Sequence, residues 1–82
     1  MDDLLEQLAD AEHESWSRWM AYLFSVSRRN DDGSYTIPPD LAAHWERQAA
    51  APYAALTERE KESDRSEVRH ILPLIEAALL QR

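Results

Sequence analysis

The stretch that decides the fold is residues 53–72, which reads YAALTEREKESDRSEVRHIL. Thr57 and Glu60 have the spacing of a capping box, in which each side chain bonds the other residue's backbone N–H, so a helix is predicted to begin directly after Thr57. On a helical projection, the charged residues Lys61 and Arg65 fall in the same arc as apolar residues that should face a core. A charged group directed at a core needs a partner, so this conflict marks the first candidate for a site.

This third helix is predicted to run to about Gln81. Its apolar stripe is expected to comprise Val68, Ile71, Leu72, Ile75 and Leu79. Pro73 lies inside the helix and should kink or divide it, because proline has no N–H to donate to the carbonyl of Arg69. Leu74 and Leu80 fall off the stripe, and either a second contact surface or ordinary surface exposure would explain them.

Two more helices are predicted upstream. The first runs from about Asp3 to about Ser27, with acidic residues near its start and basic residues after its end. The second begins near Pro39, where proline costs no hydrogen bond, and ends near Ala50 with Trp45 directed inward. The apolar face of the first helix is broad and consists of Leu4, Leu5, Leu8, Ala11, Trp16, Trp19, Tyr22, Leu23 and Val26.

The segment that joins the first two helices is predicted as a long loop. Residues 30–34 read NDDGS, which is a turn composition. A hairpin across residues 28–37 is the alternative, but two strands alone are only marginally stable. The predicted fold class is therefore all-α: one domain over residues 1–82, with three helices packed together, a long first connection and a proline-kinked third helix.

Composition limits the function classes. The net charge is −7, which argues against binding duplex nucleic acid. The chain has no cysteine and its three histidines stand apart, so neither a metal site nor a cofactor is expected. No apolar run approaches the roughly 20 residues that span a bilayer, so a cytoplasmic protein without membrane contact is expected. The small size favours a homo-oligomer, and the lack of catalytic motifs argues against an enzyme.

Glu12 is the one charged residue in the middle of the apolar arc of the first helix. It is expected to be either a solvated or arginine-neutralised structural carboxylate, or a carboxylate that lines a ligand pocket. In both cases Arg65 or Lys61 is the expected partner. His13 lies at the edge of the same face, where a hydrogen-bonded boundary residue and a ligand contact are the two alternatives.

The cationic and aromatic residues suit a phosphorylated aromatic ligand. Lys61 and Arg65, near the first turns of a helix, could bind the anion. A nearby aromatic ring could stack on a base, and the candidates are Trp16, Trp19, Tyr53 and Trp45. The alternative is that Lys61, Asp64 and Arg65 form ion pairs within the chain and bind nothing.

These residues resemble the ryanodine-receptor-type (RyR) domain family. The matching pieces are Glu12-His13-Glu14-x-Trp16 and Pro52-Tyr53-x-x-Leu56-x-Glu58-x-Glu60-Lys61-x-x-Asp64-Arg65, leading into Ile71-Leu72. The resemblance spans most of residues 11–75. The chain departs from the receptor repeats after Trp16, where residues 19–22 replace their Gly-Trp and Tyr-Gly pieces.

The resemblance implies a helical module without catalysis. Prokaryotic members have been proposed to sense nucleotide-derived molecules, so a free-standing chain would sequester a signalling nucleotide, as a phage anti-defence protein in the host cytoplasm would. The competing expectation is a structural or protein-interaction accessory protein with no small-molecule ligand. The candidate ligand-binding residues are Glu12, His13, Trp16, Tyr53, Lys61 and Arg65.

Overall fold

The computed structural model describes residues 2–81, and for Asp2 the backbone alone; Met1 and Arg82, the ends of the predicted domain, lie outside it. The all-α class with three helices is confirmed, and each predicted helix end is within one residue of the observed end. The elements are α1 (Asp2–Val26), β1 (Arg28–Arg29), β2 (Tyr35–Thr36), α2 (Pro39–Ala50), a 3-10 turn (Tyr53–Ala55) and α3 (Glu58–Leu80).

The start of α3 is the predicted capping box. Thr57 Oγ1 accepts a hydrogen bond from the Glu60 N–H at 3.2 Å, and Glu60 Oε1 accepts one from the Thr57 N–H at 3.0 Å. Further along, α3 continues through Pro73 without interruption. The helix is therefore not divided there, because proline removes one hydrogen bond and leaves those on either side intact.

The first connection is not a simple loop, so that prediction is corrected. Strands β1 and β2 pair antiparallel, with Arg28 opposite Thr36. The Asn30 side chain donates to Ser34 Oγ and to Thr36 Oγ1, both at 3.0 Å. Gly33 turns the chain with a φ of +88°, a conformation that glycine adopts without steric penalty.

The hairpin packs on α1 through an aromatic contact. The rings of Phe24 and Tyr35 lie 4.8 Å apart between centroids. Two isolated strands would be marginal, but this aromatic contact and the Asn30 bonds add stabilisation that strand propensity alone does not predict.

Helices α1 and α3 lie side by side and antiparallel. Arg18 of α1 bonds Glu67 of α3 at 2.6 Å, and Trp19, the next residue of α1, lines the same groove as the earlier α3 residue Asp64. The facing sides are marked by half-buried residues at helical spacing: Leu4, Leu8, Ala11 and Ser15 in α1, and Ile71, Leu74 and Ala78 in α3.

The expected stripe on α3 is therefore only partly the packed one. Leu74, expected off the stripe, is half-buried at the α1 contact. Val68 and Leu79, expected in the core, are 50% and 59% exposed. The apolar arc of α3 is wider than one neighbouring helix can cover, and α1 packs against its edge.

Helix α2 contacts this pair at one end only. The Trp45 ring meets the rings of Trp19 and Tyr22 with centroids 5.0 Å and 6.3 Å apart. The molecule measures 52 × 33 × 16 Å, so its thickness is close to one layer of helices. No apolar side chain among the described residues is fully buried.

Candidate functional site

Glu60 is the one buried charged residue in the described part of the chain, at 8% exposure. Beyond its capping bond, its Oε2 accepts from Arg47 Nη2 at 2.6 Å and lies 3.6 Å from His44 Nε2. The backbone N–H of Thr57 and then the Arg47 guanidinium hold the pKa of Glu60 below its usual value. Glu60 therefore ties α2 to the start of α3, a long-range role that its local capping pattern does not indicate.

Three of the six predicted ligand residues come together at the start of α3. Lys61 Nζ lies 5.6 Å from the centroid of the Tyr53 ring, within the range of a cation–π contact. Arg65 Nη1 and Lys61 Nζ lie 3.2 Å and 3.8 Å from the carboxylate of Glu58. The hydrogen bond that Arg65 donates to the Glu58 carboxylate is the main reason that the pKa of Arg65 is raised.

The expected pairing of Glu12 with Arg65 or Lys61 is wrong. Both cations contact Glu58 on their own helix, and Glu12 has no ion-pair partner within residues 2–81. The antiparallel arrangement is the reason, because it places Glu12 beside the middle of α3 and Arg65 beside the later part of α1. A helical projection shows which side of a helix a charge lies on, but not its height along the axis. Opposite charges on the facing sides of two helices therefore need not meet.

The remaining candidates lie together on α1, away from Tyr53. The imidazole of His13 stacks on Trp16 with ring centroids 5.9 Å apart. Its Nε2 lies 3.4 Å from Ser17 Oγ, as expected for a hydrogen-bonded boundary residue. The six predicted residues therefore form two groups rather than one pocket.

An aromatic groove lies between α1, α2 and the start of α3. It has a volume of about 420 Å³ and is open to solvent. A smaller depression of about 290 Å³ adjoins it, shares Tyr53 and Asp64, and is bordered by Arg65. Of the four rings expected beside the cations, the structure brings Tyr53 together with Trp19 and Trp45, and Trp16 does not line this groove. The aromatic groove is lined by Trp19, Trp45, Gln48, Ala49, Ala51, Tyr53, Leu56 and Asp64.

A second surface, the apolar face, covers most of one side of the α1–α3 layer. Its members are between 38% and 65% exposed, although all are large apolar side chains. We define the apolar face as Leu5 and Trp16 of α1 with Val68, Leu72, Ile75 and Leu79 of α3.

The two rows of the apolar face point to the same side. Successive residues of a helix are rotated by about 100° about its axis. In each of the two helices, the exposed row lies about 100° round the axis from the row that contacts the other helix. The rotation has the same sense along both chains. In antiparallel helices this directs both rows to one side of the layer, and the shared groove of Trp19 and Asp64 opens on that side.

Two ion pairs lie away from this face. Arg69 bonds Glu62 at 2.8 Å, and Arg18 bonds Glu67 at 2.6 Å. These contacts lower the pKa of Glu62 and Glu67.

Within residues 2–81, no three His, Asp or Glu side chains converge as metal ligands would. None of the helices in this range combines the length and apolar character required to cross a bilayer. Comparison of the chain with models of protein families, with curated proteins and with solved structures gives no match. The resemblance to the RyR domain therefore rests on its motif residues alone.

Proposed function

We propose that this protein is a non-catalytic protein-interaction module that works through the apolar face. The observation that carries the proposal is the exposure of this face, whose six large side chains are 38% to 65% exposed. Soluble proteins rarely expose contiguous apolar patches of more than a few hundred Å², and larger ones mark interaction sites. Burial of such surface contributes about 25 cal/mol per Å², which favours a bound partner.

The pattern of charges supports contact by apolar burial. Arg65, at the border of the face, already contacts Glu58 at 3.2 Å. A partner that covers the face would therefore meet few unpaired cations, and the desolvation cost of association would be small. Glu12 and Asp64 are the exceptions, because neither has an ion-pair partner within residues 2–81. Glu12 falls in the α1 row, and Asp64 lines a depression with Val68 and Leu72.

Site-specific photo-crosslinking in the producing cell tests this proposal. A photoreactive residue is placed at Ile75, on the apolar face, or at exposed Ala77, which lies about 200° round the same helix. We expect discrete crosslinked products from position 75 that are missing from position 77. Equal yields or no product from either position would contradict the proposal. Both variants add the same group within one turn of α3, so reactivity and expression are matched.

The aromatic groove favours a second candidate function, the binding of a nucleotide-derived signalling molecule. Trp19, Trp45 and Tyr53 offer aromatic surfaces to one open groove, and bases stack on such surfaces. Lys61 and Arg65 stand beside Tyr53, although Glu58 partly neutralises both. With the RyR resemblance, this supports a sponge that sequesters the molecule in a host cytoplasm, as a phage anti-defence protein would.

Isothermal titration of the purified protein with cyclic oligonucleotides and ADP-ribose derivatives tests the second candidate. We expect binding that Tyr53→Ala weakens by at least about tenfold, as loss of one base–aromatic stack would. Tyr35→Ala, on the hairpin, is the matched control and should bind like the unchanged chain. Absence of heat at high protein concentration with every compound would rule the candidate out.

A further inference from the structure

We infer that the partner that covers the apolar face is a second copy of this chain, packed layer on layer as a two-fold four-helix assembly. The inference rests on the proposed function and specifies its partner. It depends on three observations: the surface area of the single chain, the absence of a core within it, and the shape of the face.

The surface area of one chain is too large for a self-sufficient domain. A folded monomer of 9.5 kDa is expected to expose about 5,000 Å². This chain exposes 6780 Å². The excess of about 1,700 Å² per chain is roughly twice the ~800 Å² that each partner buries in a standard interface. For two chains the total is about 3,400 Å², which lies in the range of about 2,000–5,000 Å² that obligate homodimers bury.

The dimensions lead to the same conclusion. The radius of gyration is 16.5 Å, whereas a compact chain of this length should have about 12 Å. The thickness of 16 Å leaves no room for a second layer, and stable domains bury each apolar face against another element. Helix α2 and the 3-10 turn cover the α1–α3 pair at one end only, where Trp45 of α2 and Tyr53 of the turn line a groove with Trp19.

Stability requires that the covering partner be present whenever the chain is folded. No apolar residue of the described chain is buried, so one copy alone lacks the burial that offsets conformational entropy. A second copy meets this requirement, because it is made with the first and in equal amount. A partner of another kind would leave the chain without a core until the two met.

The apolar face also has the shape that self-association needs. Leu5 to Trp16 in α1 and Val68 to Leu79 in α3 each cover eleven residue steps, or about 17 Å of helix. The two rows are antiparallel and, at ordinary helix spacing, about 8–10 Å apart. A two-fold axis that lies in the plane of the interface, parallel to the helices, would place each α1 row over the partner's α3 row, which gives a self-complementary interface.

Sedimentation equilibrium of the purified chain tests the inference. We expect a mass of twice 9.5 kDa at micromolar concentration. Leu5→Asp and Val68→Asp replace residues that are 65% and 50% exposed in one chain, so each should weaken dimerisation at least about 100-fold without removing a buried contact within one chain. Ala77→Asp, on the opposite side of α3, adds the same charge and should stay dimeric.

Thiol labelling separates failure of the dimer from failure of the proposed function. The chain has no cysteine, so Ile75→Cys and Ala77→Cys each carry a single thiol. In the dimer, maleimide should label position 75 at least about tenfold more slowly than position 77. The slow labelling of position 75 should become fast in a chain that also carries Leu5→Asp.

Three other outcomes would overturn the inference in different ways. A monomer whose position 75 labels rapidly would exclude the dimer and leave the apolar face open for a different protein. A monomer whose position 75 stays protected would show that the chain closes the face by itself, and would overturn the proposed function as well. A dimer that persists in both aspartate variants would place the interface elsewhere.

Discussion

At the scale of single residues, Glu60 and Glu12 are both carboxylates beside apolar surface, but they differ in burial and in partners. Glu60 is 8% exposed and has two strong partners, the Thr57 N–H at 3.0 Å and the Arg47 guanidinium at 2.6 Å. Glu12 stays exposed and has no ion-pair partner in residues 2–81. The first carboxylate stabilises the fold of one chain, while the second becomes a liability when the apolar face is covered.

The lowered pKa of Glu60 predicts a loss of stability in acid. The folded state binds this proton less readily than the unfolded state, so the stabilisation is fully present above the ordinary glutamate value of 4.5 and is lost as the pH falls through the lower folded pKa. Glu60→Gln should reduce both the stability at pH 7 and its acid dependence, measured by urea unfolding at several pH values. Exposed Glu46→Gln is the control, and an unchanged acid slope in Glu60→Gln would contradict the prediction.

Glu12 predicts a substitution that strengthens association. In the proposed dimer its carboxylate enters an apolar interface twice, once from each copy, with desolvation and like-charge repulsion as costs. Glu12→Gln should tighten the dimer by about tenfold, measured by sedimentation as the dissociation constant. Glu14→Gln changes the charge equally on the polar side of α1 and should leave the constant unchanged. Weaker association of Glu12→Gln would indicate that the carboxylate has a cationic partner across the interface.

At the scale of elements, α3 combines a strong start with a weak middle. The capping box at Thr57 satisfies two backbone donors. Fifteen residues beyond Glu58, Pro73 leaves the carbonyl of Arg69 without its helical donor, yet the helix continues to Leu80. Ile71 and Leu74 flank the proline and are half-buried, so burial on both sides of it favours the helix.

This weak point predicts that Pro73→Ala stabilises the protein. Alanine supplies the missing N–H and removes the ring that crowds the preceding turn, so the free energy of unfolding should rise by about 1–3 kcal/mol. Pro52→Ala, outside α3, should be neutral or slightly destabilising because it frees the unfolded chain. Denaturant unfolding at fixed protein concentration measures both variants. A loss of stability in Pro73→Ala would mean that the present course of α3 depends on the proline.

At the scale of the whole molecule, one chain is a layer rather than a closed core. Its thickness of 16 Å and its exposed area of 6780 Å² follow from two long helices that lie side by side with α2 at one end. In the proposed dimer, stability and association would be parts of one equilibrium, as in obligate homodimers, where the folded monomer is only weakly populated.

Unfolding should therefore depend on protein concentration. When two folded chains separate into two unfolded chains, mass action raises Tm as the concentration rises. We expect Tm to increase by several degrees between about 1 and 100 μM. Leu5→Asp should melt at a lower temperature than the unchanged chain at every concentration, and Ala77→Asp should follow the unchanged chain. A concentration-independent Tm, measured by circular dichroism, would contradict obligate association.

Local signals predict the helices, but they favour a loop over the observed hairpin. Helix periodicity, Pro39 and the Thr57 capping box set the helix ends to within one residue. Part of the stabilisation of the hairpin comes from Phe24, which lies outside the segment and packs on Tyr35. The contact between Trp19 and Trp45 likewise joins residues far apart in the chain.

The candidate site could be predicted only in part, for the same reason. Tyr53, Lys61 and Arg65 are neighbours through local spacing at the start of α3, and the structure keeps them together. Glu12 was assigned to Arg65 because both are charged residues in apolar arcs. The structure gives Arg65 to Glu58 instead, since a partner on the same helix is already within reach.

The amino-acid sequence specifies the class of structure, the lengths of the helices and the amphipathic surfaces, because these depend on interactions within a few residues. Three outcomes appear only when the helices pack: which edge of the α3 arc meets α1, the link of Glu60 to Arg47 between α3 and α2, and the exposure of the row from Val68 to Leu79. Those outcomes depend on the register and rotation of one helix against another. Periodicity shows how wide an apolar surface is, but not which part of it a neighbour will cover.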